Sequence, residues 1–350
     1  MIDNLIIGGG LAGLFCAFRL QQQGENFLLL EASAQSGGRI QPASENCAID
    51  AGPTWFWPHQ LKMQALTQEL QVDVFEQYID GDTLFQPAEP HAPIQKMHYQ
   101  QGTSFRIKGG ITLLINALQA QLLRKNLRFS SQVKALEKID NGWQVLLNNN
   151  EKVRSRRLFL ALPPRMIVKH LTPKSWLSEN AITHMQQQQT WMSAQAKYIA
   201  IFETSFWREY GLSGFAISHR GPLVEIHDAV MPGQTSALFG FVGLDAQQRK
   251  DIPSEDLKAA CRQQLLSIYG KQAVPTSDHL MDWSNNPYIC SMADIGESPL
   301  HNHVNLQQLY QNEALPNLYF VGSEFSQSEP GYLEGALDAV DSALQLIDIS

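Results

Sequence analysis

Cysteine is scarce in this chain and unpaired in pattern. Of 350 residues four are cysteine, Cys16, Cys47, Cys261 and Cys290, and no two form a C-x-x-C. That excludes a disulfide framework and a thiolate zinc site, and suits a reducing compartment. The ten histidines contain no H-x-x-x-H pair, and "HNH" at 301–303 sits in a polar stretch that reads as a loop. No metal site is expected. Lysine and arginine number 26 against 34 acidic residues, a net charge of −8, which argues against nucleic acid as a partner. The densest basic cluster, "VRSRRLF" with Arg154, Arg156 and Arg157, reads as a solvated hairpin end. No apolar run reaches the ~18 residues a membrane span needs. No basic-then-apolar leader precedes Ile2, so the expected place is the cytoplasm, away from membranes. Internal repeats are absent.

Apolar residues are plentiful at 44%, with only 17% charged, the balance of a globular chain long enough for two domains. The most informative stretch is "NLIIGGGLAGLFCAFRLQQQGENFLLLEAS". Leu5 to Ile7 reads as a buried strand. Gly8, Gly10 and Gly13 satisfy G-x-G-x-x-G, and Leu14, Ala17, Phe18 and Leu20 follow at helical spacing. Phe27 to Leu30 reads as a second strand that ends in Glu31, 18 residues past Gly13. This is the βαβ context that a dinucleotide site requires. Gly8 allows the tight turn, Gly10 lets backbone approach a pyrophosphate, and Gly13 packs helix on strand. Glu31 is placed to accept hydrogen bonds from a ribose. Eight residues later Arg39 follows two glycines in "SGGRIQ", within reach of a pyrophosphate.

A second stretch raises a question. "AQAKYIAIFETSFW" (194–207) reads as one strand, with Ala196, Tyr198, Ala200 and Phe202 on one face. Lys197 falls on the other face with Ile199 and Ile201. A buried, unpaired ammonium is costly, so either the strand lies at a sheet edge and the lysine snorkels out, or it faces a polar site.

The motifs together resemble the flavin-containing amine oxidase superfamily. The resemblance starts with "GGGLAG", Glu31, "GGRI" and "DAGPTW" and continues through "IKGGITLLINALQAQL", "SQVKALEK" and "LFLALPPRMI". It closes with "NLYFVGSEF" and "GYLEGALDAV". It implies an α/β fold: a Rossmann-type, glutathione-reductase-like FAD-binding domain interleaved with an α+β substrate domain. The FAD domain is expected over 1–74, 106–186 and 287–350, and the substrate domain over 75–105 and 187–286. The positions that match the family's cofactor contacts are Gly8, Gly10, Leu11, Ala12, Gly13, Glu31, Gly38, Arg39, Thr54, Val133, Glu324 and Leu333. Val133 would meet the adenine and Glu324 would hold the ribityl chain. Leu333, Leu337, Val340, Leu344 and Ile347 keep helical spacing, so a helix beginning near Gly331 would turn its N-terminus to the flavin.

The resemblance also assigns the lysine. Lys197 matches a family lysine that holds a water against flavin N5. Tyr288 in "WSNNPYIC" and Tyr332 in "PGYLEG" match two rings that flank the flavin as an aromatic cage. These three are the expected catalytic residues. Pro287 stands where membrane-bound relatives attach flavin through a cysteine, so FAD is expected to be noncovalent. The implied reaction takes hydride from an amine-bearing carbon to flavin N5. It yields an imine that water hydrolyses to aldehyde and ammonia, with oxygen reoxidising the flavin to give hydrogen peroxide. A renalase-like enzyme, a desaturase- or protoporphyrinogen-oxidase-like enzyme, and a non-catalytic flavin-binding protein are the alternatives. The glutamine run at 186–189 reads as a solvated crossover. Nothing in the sequence indicates the oligomeric state.

Overall fold

The computed structural model describes residues 1–45, 47–99, 101–296, 313 and 315–348; the "HNH" stretch lies outside them. Two seven-stranded sheets organise the chain. The first runs in the order Val133–Ile139, Gly142–Leu147, Lys152–Leu160, Ile2–Ile7, Phe27–Leu30, Leu127–Arg128, with Leu318–Phe320 also on Lys152–Leu160. Ile2–Ile7 is parallel to both of its neighbours. A parallel strand is covered on both faces, which explains the unbroken apolar run at its end. Ile6 points into one core, against the helices Leu11–Gln22, Thr112–Gln121 and Leu333–Asp348. Leu5 and Ile7 point into the other, against the Val133–Leu147 meander and the helices Pro164–His170 and Glu179–Gln187.

Two sequence expectations are corrected here. "VRSRRLF" is no hairpin end but part of the strand Lys152–Leu160. Val153 and Ser155 turn inward while Arg154 and Arg156 turn outward, so the arginines are the solvent face of a half-covered strand. Arg157 reaches Asn4 and Glu25. The glutamine run is not merely solvated either: Gln188 is 4% exposed.

The second sheet has the order Ser277–Asp282, Ala196–Phe202, Ser236–Val242, Leu223–Asp228, Leu212–Ser218, Asp82–Gln86, Gln95–Met97. The lysine strand lies inside it, paired to Phe241 on one side and Met281 on the other, so the edge-strand explanation fails. Ala196, Tyr198, Ala200 and Phe202 pack with Leu257, Cys261 and Leu265 of the helix Ser254–Tyr269. On the opposite face Ile199, Ala237 and Phe239 pack on Cys47, Ile49 and Ala51, which come from the segment just after the dinucleotide motif. Lys197 belongs to that second face and is 2% exposed. Among the described residues no helix is long and apolar enough to cross a membrane.

Candidate active site

A cavity of about 1550 Å³ is lined from both sheets. That is larger than a typical small-ligand pocket and gives room for a dinucleotide and a substrate. Its walls run from the glycine motif and Glu31, past Arg39, Thr54 and Val133, to Lys197, Phe241 and Tyr332.

The cradle at one end is built from backbone. Gly10 is the N-cap of Leu11–Gln22 and offers no side-chain acceptor, so the first-turn N–H groups of the helix stay open to a phosphate. Gly10 bridges to Gly37, and a Cβ on Gly10 would meet only the Gly37–Gly38 backbone, at 3.8 Å. Gly13 is where helix and strand touch: a Cβ there would stand 1.9 Å from the Gly8 carbonyl oxygen. Glu31 is held rigidly, with Oε2 accepting from the Gly9 N–H at 2.5 Å and Oε1 from the Ser33 N–H at 2.7 Å. These residues fit an FAD: donors for the pyrophosphate, a fixed carboxylate for the ribose, and no side chain in the way. Leu11, Ala12, Gly38 and Leu333 line the same cavity, and Val133 is 4% exposed in its wall.

Arg39 and Glu324, expected in separate roles, meet each other. The guanidinium donates to Glu324 Oε1 at 2.7 Å and Oε2 at 3.2 Å, and to Ser323 Oγ at 2.9 Å. Glu324 Oε2 also accepts from Ser323 Oγ. The carboxylate therefore serves Arg39 on both oxygens and does not line the cavity, whereas Arg39 does.

Lys197 Nζ donates to the Asp50 carbonyl at 2.8 Å, the Gly52 carbonyl at 3.0 Å and Thr54 Oγ1 at 2.5 Å. It stands 3.9 Å from the centre of the Phe239 ring. An ammonium has three protons, and all three are engaged by the 50–54 segment. Burial is the main influence on its proton affinity and pulls it down to about 7, against the opposing charge of Asp50. Asp50 is 1% exposed, and burial pushes its carboxyl up to about 6 despite Arg106 and Lys197. Its Oδ1 accepts from the Ile111 N–H at 2.7 Å, while Oδ2 has no hydrogen-bond partner among the described residues. Burial therefore moves both groups toward their neutral forms.

The two expected cage tyrosines, Tyr332 and Tyr288, both line the cavity, and Tyr288 also has contacts beside the Val133 strand. Its hydroxyl donates to Gln132 Oε1 at 3.4 Å, beside Val133, and its ring centre is 6.0 Å from that of His170. The Pro287 carbonyl accepts from Lys169 Nζ at 2.8 Å and pairs with His170 Nε2 at 3.1 Å, which ties this loop to the end of the helix Pro164–His170. Tyr332 instead meets Trp57, edge-on at 5.6 Å, and Trp191 at 6.3 Å. Trp57 and Trp191 line the cavity and were missed in the sequence, as were Trp55 and Glu225; His227 is outside the lining and bonds Glu225. The tryptophan-rich "TWFWP" carried a signal for two of them; the rest are set by folding alone.

Similarity to known proteins agrees with this geometry. Residues 90–343 match the family described as flavin containing amine oxidoreductase, and residues 6–70 match an NAD(P)-binding Rossmann-like domain. "Probable flavin-containing monoamine oxidase A" of Dictyostelium discoideum is 21% identical, covering 97% of this chain and 96% of that protein. "Amine oxidase [flavin-containing] A" of Sus scrofa is 20% identical over 99% of this chain and 85% of its own. Among solved structures, a redesigned putrescine oxidase superposes with a TM-score of 0.84 at 18% identity, covering 100% of this chain and 99% of that one. Cyclohexylamine oxidase from Brevibacterium oxydans gives 0.80 at 18%, covering 99% and 98%. The family match takes in most of the chain, including every strand of the second sheet but one and the lysine it carries; this protein belongs to the flavin-containing amine oxidoreductases, FAD-dependent enzymes that oxidise amines.

Proposed function

We propose that the chain oxidises small-molecule amines with noncovalent FAD in the cytoplasm, using molecular oxygen as the acceptor. Bound FAD supplies the hydride acceptor, so that the amine-bearing carbon becomes an imine, which water converts to a carbonyl and ammonia. The residues of the chain bind, orient and exclude water. Residues 1–74, 106–186 and 287–350 form the FAD domain in this reading, and 75–105 and 187–286 form the substrate domain. The cofactor contacts are the ones expected from the sequence, with Glu324 acting through Arg39. Lys197 orients a water in the cavity, giving up one of its three contacts with the 50–54 segment to do so, and Tyr332 with Trp57 and Trp191 receives the amine.

One observation carries the reading. A lysine is buried in the wall of a cavity whose lining also contains a dinucleotide cradle and aromatic rings. A buried ammonium that burial brings near neutrality, aimed at no carboxylate, suits proton handling better than structural support. The four free, buried cysteines agree with a reducing compartment. Pro287, at the position of the flavin-linking cysteine, agrees with noncovalent FAD.

The test is anaerobic mixing of the yellow protein with a panel of amines and amino acids. Bleaching of the flavin by amines, with hydrogen peroxide appearing once air is admitted, is the expected result. A flavin left oxidised by every amine would overturn the proposal, and a flavin retained in an acid-precipitated pellet would overturn noncovalent binding.

A further inference from the structure

The chain crosses from the first sheet to the lysine strand through residues 189–195, and all of them line the cavity. Trp191 and Met192 form the middle of a turn that the Ser193 N–H closes onto the Thr190 carbonyl at 3.1 Å. Met192 takes the left-handed region there, with φ of 57°. A side chain of that length stays in this region only where its surroundings enforce it, and such positions gather at functional sites. The turn presents the Trp191 indole to Tyr332, with ring centres 6.3 Å apart and planes at 48°. The two segments approach closely: a Cβ on Gly331, whose φ is +85°, would stand 2.8 Å from the Trp191 Cβ.

A buried ion pair holds this turn. The side chains of Arg165 and Asp294 are 5% and 3% exposed, and Arg165 Nη1 donates to Asp294 Oδ1 at 2.6 Å. Arg165 Nε donates to the Gln186 carbonyl at 2.8 Å, and Asp294 Oδ1 also accepts from the Thr190 N–H at 3.3 Å. Asp294 Oδ2 accepts from the Ser291 N–H at 2.8 Å and Ser291 Oγ at 2.6 Å. The pair thus grips the crossover at 186 and again at 190, the residue before Trp191. Both oxygens of Asp294 are engaged, although the residue lines the cavity. Charge-assisted bonds of this kind fix direction, and removing one partner strands a buried charge. Arg165 comes from the helix Pro164–His170 and Asp294 from the single turn Met292–Asp294. In the division proposed above both belong to the FAD domain, and the turn they hold belongs to the substrate domain.

We infer that the Arg165–Asp294 pair consists of positioning residues for the amine pocket: it seats the Trp191 indole against Tyr332 and, through that ring, sets how tightly the amine is held. The pair itself performs no chemistry. An aromatic ring contributes apolar contact and a face that attracts a cation, and both depend on where the ring stands. Losing the seat therefore weakens amine binding more than it slows the step at the reacting carbon. The carboxylate that holds the turn also accepts from its backbone, so a change at Arg165 reaches Trp191 across a single hydrogen bond.

The inference rests on the amine-oxidase reading, and a double-mutant cycle separates the two. The FAD-loaded parent, Arg165→Met, Trp191→Leu and the double variant are assayed with benzylamine and with butylamine. Arg165→Met should raise KM at least about fivefold, with kcat within about twofold and FAD content unchanged. Trp191→Leu should raise KM to a similar extent. In that background Arg165→Met should add less than about twofold, because a residue that acts through a ring has nothing left to position. Arg165→Lys keeps the charge without the fork and should recover part of the loss; it takes the place of Arg165→Met in the cycle if the latter does not fold. Amide hydrogen exchange at 189–195 should rise in the Arg165 variant while the strand Ala196–Phe202 stays protected. If neither amine bleaches the parent flavin, the amine-oxidase reading fails and this inference with it. If the flavin is bleached but the KM effects multiply in the double variant, or exchange at 189–195 is unchanged, only the positioning role is overturned.

Discussion

Arg39 and Glu324 stand 285 residues apart in the chain and close on each other as a two-pronged ion pair. The glutamate side chain is 1% exposed and the arginine side chain 27%. The pair ties the loop after the glycine motif to the turn after the last strand of the first sheet, across the cavity wall that would carry the pyrophosphate. The sequence singled out each partner as an expected cofactor contact. That they hold each other is a property of the fold.

The pair is asymmetric, and so is its expected response to mutation. Arg39→Met leaves a buried carboxylate without its cation, a change that costs about 3 kcal/mol in such sites. Glu324→Gln leaves a partly exposed guanidinium still facing an amide oxygen and Ser323, at a cost of about 1 kcal/mol. Chemical denaturation of the flavin-stripped proteins checks the order. Equal losses would show that the carboxylate is not dependent on Arg39.

Lys197→Met should keep the fold and the FAD, since methionine fills similar volume without a charge. Flavin reduction by a good amine, or its reoxidation by oxygen, should slow by at least about tenfold, a barrier change of about 1.4 kcal/mol. Stopped-flow traces of the two half-reactions give the measurement. Rates within twofold of the parent for both would reduce Lys197 to a structural tether of the 50–54 segment.

Asp50 should set the pH at which Lys197 acts. The carboxylate raises the proton affinity of the ammonium, so Asp50→Asn, which keeps an oxygen for the Ile111 N–H, should lower it further. The limb of the rate–pH profile that belongs to Lys197 should then move to lower pH and vanish in Lys197→Met. The stability signs are opposite for the two groups. The raised carboxyl of Asp50 contributes stability at pH below about 4 that is lost as pH rises through about 6; the depressed Lys197 contributes stability above about 10 that is lost as pH falls through about 7. Titration of parent and Asp50→Asn side by side tests the shift, and coincident profiles would contradict it.

Tyr288 and Tyr332 should separate by phenotype. Tyr332→Leu removes the ring that meets Trp57 and Trp191 and should reduce kcat/KM for amines by at least about tenfold. Tyr288→Leu acts beside Gln132 and Val133 and should change FAD retention more than amine kinetics. Dialysis against a flavin-free buffer, followed by steady-state assays on the reloaded enzyme, distinguishes them. Matching kinetic defects in both would support the two-tyrosine cage expected from the sequence.

The division between sequence and fold follows from the range of the interactions. The first sheet's entry was readable because its determinants are local: the glycine spacing, the strand before it, the helix after it and Glu31 at the end of the next strand all lie within 31 residues. The alternation around Lys197 was readable for the same reason, since a strand sorts its side chains with period two. What faces the lysine was not readable. The Asp50 and Gly52 carbonyls and Thr54 come from about 145 residues away, and backbone carbonyls carry no sequence signature. For Tyr288 a family match fixes a position along the chain, while the ties of Pro287 to Lys169 and His170 fix the loop in space. Glu225 looked like any strand-surface acid. Only the bulge at Val224 and the imidazole behind it turn that acid into the cavity, because one extra residue in a strand exchanges its faces and no local pattern announces which neighbour it will pair with.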